Sequence, residues 1–77
     1  MNDEFWKLNS FNFNGPINSW ELNISDKKSV RYWKALNTLS IINWEDNIHF
    51  KMLNPTINDL IDGIRLCKIN FKIKINE

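Results

Sequence analysis

A single cysteine, Cys67, leaves no partner for an intramolecular disulfide and no Cys/His spacing for a metal. It sets the expectation of a reducing compartment, the cytoplasm. His49 is the sole histidine and falls on the polar phase of its segment, so a nucleophile has at most one imidazole base to call upon. Two glycines, Gly15 and Gly63, are too few for a loop that cradles phosphate. Long apolar runs are missing as well: residues 8–20, the longest uncharged stretch, are broken by asparagines and by Gly15-Pro16, so nothing reads as a membrane span. Neither sign of charge is in excess, the formal balance being +1, which argues against bulk attraction to nucleic acid. The opening Met1-Asn2-Asp3-Glu4 is acidic and lacks the basic and apolar segments of a secretion leader. Together these absences predict a protein that is not an enzyme and holds neither cofactor nor metal.

What is abundant is aromatic and polar surface. A chain of 77 residues predicts one α+β domain spanning residues 1–77, with room for one core and a thin stability margin. Such a core holds two or three of Trp6, Trp20, Trp33 and Trp44, leaving the rest as contact residues or the seam of a homodimer. The many Asn and Ile residues, with Lys well ahead of Arg, read as the codon bias of an AT-rich genome.

Periodicity predicts the elements. Phe11 and Phe13, then Asn14-Gly15-Pro16, then Trp20, Leu22 and Ile24 alternating with polar residues, read as a β-hairpin. Trp6 and Leu8 lie on the opposite parity, so a strand continued upstream to Phe5 needs a bulge near Asn9-Ser10. Ser25 or Asp26 caps an expected helix reaching Ser40, with Tyr32, Trp33, Leu36 and Leu39 on one face and Lys27, Arg31 and Lys34 on the other. Residues 41–44 read as a change of direction or a short strand, and Ile48, Phe50 and Met52 as a half-buried strand. Asn54-Pro55 predicts a helix start, with Ile57, Leu60, Ile61 and Ile64 as its apolar stripe and Gly63 as its terminator; a hairpin turn at Asp62-Gly63 competes. Ile69, Phe71, Ile73 and Ile75 alternate with Asn70, Lys72, Lys74 and Asn76, the pattern of a final strand. The resulting order, β-β-α-β-α-β, predicts a small, mostly antiparallel sheet with two helices on one face. Trp20, Leu22, Trp33, Leu36, Leu60, Ile61, Phe71 and Ile73 are the expected core.

Carboxylates do come in pairs, Asp59 with Asp62 and Glu45 with Asp46. They read as a solvated helix face and a polar turn, since acid–base or metal chemistry needs a pocket or more oxygen ligands. Charge segregation stands out more. Residues 27–34 carry four bases and no acid, residues 65–77 four bases against Glu77, and the two remaining segments are acidic. Lys27, Arg31 and Lys34, with Lys68, Lys72 and Lys74, therefore form two basic stripes, which either solvate the surface, guard an edge strand, or meet a partner. Trp44 fits no apolar phase and reads as an exposed aromatic anchor. The leading expectation is a small protein that binds and blocks a larger, acidic protein, in the manner of immunity proteins, antitoxins or phage inhibitors. The alternatives are a DNA- or RNA-binding regulator using the basic stripes, and a homodimer joined by strand addition.

Overall fold

Five strands form an antiparallel meander in their order along the chain: β1 (Asn12–Asn14), β2 (Ser19–Ser25), β3 (Lys28–Trp33), β4 (Thr38–Asn43) and β5 (Ile48–Leu53). Helix α1 (Asp3–Leu8) precedes the sheet and α2 (Ile57–Leu66) follows it. This computed structural model describes residues 1–75. The α+β class with a small antiparallel sheet and two helices is as expected. One helix is displaced along the chain: α1 precedes the strands, whereas the sequence predicts the first helix over residues 25–40, while α2 follows the sheet where Ile57, Leu60, Ile61 and Ile64 imply it. Asn76, assigned above to a final strand, lies outside the described residues.

The expected helix over residues 25–40 is instead the β3–β4 hairpin. Tyr32, Trp33, Leu36 and Leu39 satisfy a helical period, yet Val30 and Tyr32 on one strand and Leu39 and Ile41 on the next satisfy a strand period equally well. β-branched and aromatic side chains favour the pleated form. The deciding residue is Asn37, whose left-handed backbone (φ 44°) closes a four-residue turn. Asn18 (φ 51°) and Asn47 (φ 56°) close the β1–β2 and β4–β5 turns in the same way. Asparagine tolerates this conformation because its short side chain hydrogen-bonds locally.

Register assigns the faces. Trp20, Tyr32, Leu39 and Met52 form one cross-strand row, and Leu22, Val30, Ile41 and Phe50 the next. Both rows face the helices. Trp6 of α1, fully buried, stacks on Tyr32 at 4.8 Å and meets Phe5 and Phe11 edge-on. Its indole N–H finds no acceptor among the described residues, a cost of about 1–3 kcal/mol that this aromatic packing must exceed. Helix α1 exists because Asn2 caps it, accepting from the Phe5 N–H at 3.0 Å, with Asp3 and Glu4 in its first turn and Lys7 in its last.

Helix α2 begins later than Asn54-Pro55 implies. Thr56 is its N-cap and Asp59 closes a capping box, while Asn54 takes a left-handed turn (φ 52°). Gly63 lies inside this helix, not at its end: a methyl group there would come within 2.6 Å of Ile41 Cδ1 and 2.7 Å of Phe50 Cδ1. Glycine is thus what lets α2 sit close on the sheet.

Residues 67–75 form no strand. Ile69 and Ile73 are buried and Phe71 half-buried, so the alternation reports burial for three of its four apolar positions, but Ile75 is 56% exposed and no strand of the sheet pairs with this segment. Instead it crosses the helix layer, tied by Asn43 Nδ2 to the Cys67 carbonyl (2.7 Å) and by Asn9 to Lys74. Of the expected core, Trp20, Leu60 and Ile73 are buried and Leu22, Ile61 and Phe71 half-buried. Trp33 and Leu36 are displaced: Trp33 points to the opposite face from Tyr32, and Leu36 sits in the turn, 69% exposed. Among the described residues no helix is long and apolar enough to cross a membrane.

Candidate functional site

Among the described residues no helix or loop packs on the face of the sheet turned away from α1 and α2. Its side chains fall in three rows. Asn14, Ser19, Trp33, Thr38 and Leu53 form the first; Asn12, Glu21, Arg31, Ser40 and Lys51 the second; Asn23, Ser29, Ile42 and His49 the third.

A shallow groove of about 430 Å³ opens at the first row, lined by Trp33, Leu36, Thr38, Lys51 and Leu53. Thr38 forms its floor, buried and donating its hydroxyl to the Leu36 carbonyl at 2.9 Å, which fixes the turn that presents Leu36. Asn37 adds a second clamp. Its Oδ1 accepts from the Tyr32 hydroxyl (2.6 Å), its Nδ2 donates to Asn54 Oδ1 (3.0 Å), and its carbonyl accepts the Asn54 N–H (2.8 Å). The β3–β4 turn and the end of β5 are thereby locked together, with Leu36 and Leu53 both on the groove and Leu53 66% exposed. Trp33 is half-buried, with the Arg31 guanidinium 5.1 Å from its ring centre.

Charge on this face is organised around Glu21. One of its oxygens, Oε2, accepts from Ser19 Oγ (2.7 Å) and Asn14 Nδ2 (3.3 Å) and forms an ion pair with Arg31, 3.2 Å from its Nε. Lys51 forms no ion pair among the described residues. Ser40 Oγ lies 3.0 Å from His49 Nε2.

The residues singled out from sequence do not form one patch. Arg31 alone reaches the open face. Lys27 and Lys34 stand at opposite ends of β3, more than about 20 Å apart at strand rise. Lys34 is engaged on the helix side of β1, 3.3 Å from Asp3 and over the Phe13 ring at 5.5 Å. Trp44 is 59% exposed in the β4–β5 turn, its N–H donating to the Lys27 carbonyl at 2.7 Å. Lys68 follows Cys67, which Asn43 holds at this same end of the sheet. Lys72 and Lys74 are exposed on the segment crossing the helix layer. The helix on which the first stripe was drawn does not exist, so its common face dissolves.

The other chemical candidates have structural work. Asp59 closes the α2 capping box, Asp62 pairs with Arg65 at 2.8 Å, Glu45 approaches Lys28 at 3.7 Å, and Asp46 and Asn43 bond each other across the turn. Cys67 is fully buried on the helix side, where burial pushes its thiol up, while His49 belongs to the open face, so the two do not meet. Among the described residues no three His, Cys, Asp or Glu side chains gather as a metal site. Sequence reasoning placed Trp33 and Leu36 in the core and singled out neither Leu53 nor Lys51 as a site residue; the asparagine-closed turns were the signal that would have put Trp33 and Leu36 at the surface. The chain matches no family model, and comparison with curated proteins and with solved structures finds no match in either.

Proposed function

We propose that the protein is a binding module that docks on another protein through the open face of its sheet and acts by occupying that partner's surface, without catalysis of its own. The observation that supports this most is the groove between Trp33, Leu36 and Leu53, where two leucines remain mostly in water although the surrounding turn is held rigid. Burying each on a partner gains about 2 kcal/mol, and rigidity keeps the entropic cost of doing so small. Trp and Arg, stacked here as Trp33 and Arg31, are the residue types that dominate such contacts.

The test is capture of binding proteins from extracts of the source cells by immobilised wild type, Leu53→Asp and Lys72→Glu/Lys74→Glu proteins. One protein retained by wild type and by the lysine variant, but lost with Leu53→Asp, supports the reading. Equal retention by all three rejects it.

A second reading rests on the outer edge of β5. Among the described residues this six-residue strand pairs only with β4, and it contains no proline, so a second copy can add to it. A mass that stays monomeric by light scattering across a hundredfold range of concentration, chosen to span about the micromolar regime, counts against it.

A further inference from the structure

We infer that Arg31, Ser40 and Lys51, with His49 beside them, form a subsite for an oxyanion carried by the docked protein; the inference rests on the docking reading above and gives that partner its chemistry. Arg31 and Lys51 are the cross-strand neighbours of Ser40 on its two sides. Two strand spacings put their Cα atoms about 10 Å apart, so two long cationic side chains flank one hydroxyl. Ser40 is already oriented by His49 Nε2 at 3.0 Å. Glu21, the cross-strand neighbour of Arg31 on its other side, pairs with its Nε at 3.2 Å, and among the described residues no hydrogen bond engages the two terminal NH2 groups of the guanidinium. Lys51 adds a positive charge with no ion pair among the described residues. Fork-shaped guanidinium beside a point ammonium is a donor set suited to a carboxylate or phosphoryl group.

Protein rather than nucleic acid is the source that fits. Lys51 also lines the apolar groove, so the oxyanion site adjoins a pocket that takes an aliphatic or aromatic side chain. Nucleic-acid platforms stack successive bases on several aromatic rings, whereas Trp33 is the one Phe, Tyr or Trp among the side chains the register places on this face, and the His49 ring is engaged with Ser40 Oγ at 3.0 Å. An acidic segment with an adjacent apolar anchor matches both halves.

Inorganic phosphate is the probe, titrated into ¹⁵N-labelled full-length protein and followed by amide and side-chain NMR shifts. Saturable changes centred on Arg31, Ser40, His49 and Lys51, weakened about threefold by either Arg31→Gln or Lys51→Gln, are expected. Changes no larger there than at Lys27, Lys68, Lys72 and Lys74 would overturn the subsite. Lys51 is exposed, so its variant reports even where Arg31→Gln perturbs folding. A short oligothymidylate that shifts the same residues more strongly than phosphate would overturn the protein source. Because no partner is present, failure here leaves the capture result standing, and failure of capture leaves this titration standing.

Discussion

The side-chain amide of Asn9 is paired with the backbone of Lys74 in both directions: Nδ2 donates to the Lys74 carbonyl at 3.1 Å, and Oδ1 accepts the Lys74 N–H at 2.6 Å. One buried carboxamide therefore does for residues 67–75 what a neighbouring strand does elsewhere. Asn9→Ala removes both bonds and the one Nδ2 also gives the Phe5 carbonyl (3.0 Å), and is expected to cost about 2–3 kcal/mol in urea unfolding. Trypsin cleavage after Lys72 and Lys74 should accelerate by more than the global loss of stability explains, because the segment detaches before the sheet opens.

Gly63→Ala pits two effects against each other. Alanine gains up to about 1 kcal/mol of helix propensity. Its methyl group, however, meets Ile41 and the Phe50 ring at distances no real contact sustains. Ile41 is fully buried, and the half-buried Phe50 ring moves only as a rigid unit, so neither neighbour yields without cost. Overpacking costs about 1–3 kcal/mol, so the variant should be destabilised despite its better helix. A higher urea midpoint than wild type would refute the close approach.

Asp3 gives acid sensitivity a definite sign. A hydrogen bond from Trp20 Nε1 at 3.1 Å, then the bond and charge of Lys34, hold its carboxyl below the ordinary value. A carboxylate with a lowered folded pKa contributes stability that is complete above the unfolded value and is lost as pH falls through the folded one. Loss attributable to Asp3 should therefore begin below about pH 4. Asp3→Asn should flatten that part of the stability profile while leaving the neutral region nearly unchanged in shape, as urea midpoints between pH 2 and pH 7 will show.

Leu36 and Leu53 separate folding from binding. Both are mostly exposed, so Leu36→Ser and Leu53→Asp should shift stability by no more than about 0.5 kcal/mol. Thermal midpoints within a few degrees of wild type are expected. A large drop in either would mean that the groove is a closed satellite core rather than a contact surface.

How far the sequence reveals this molecule depends on which residues interrupt its periods. Trp20 to Ile24 and Ile48 to Met52 alternate without interruption, and both are strands. Leu60 and Ile64 lie on one stripe of a helix that forms where the stripe implies. Between Lys28 and Asn43 two strands flank a four-residue turn, and that insertion shifts the phase enough to mimic a helix. Reading Asn37 alongside Asn18 and Asn47 as three turn closers resolves the ambiguity. The misreading moved Trp33 from the outer face to the core, and with it hid the site. Residues 69–75 show the reverse: alternation correctly marks Ile69 and Ile73 as buried, but periodicity does not tell a paired strand from an extended segment held by side chains. Trp44 was legible as exposed because it fits no apolar phase.

Site-specific photo-crosslinking tests the docking face most directly. A benzophenone amino acid placed at position 53 on the open face, at 44 in the β4–β5 turn, or at 66 on the exposed side of α2 samples three separate surfaces. In source cells, position 53 should yield one discrete crosslinked protein, with positions 44 and 66 yielding none of it. Crosslinking of that same protein from 66 or 44, with position 53 silent, would contradict the account and place the contact on the helix layer or at the turn.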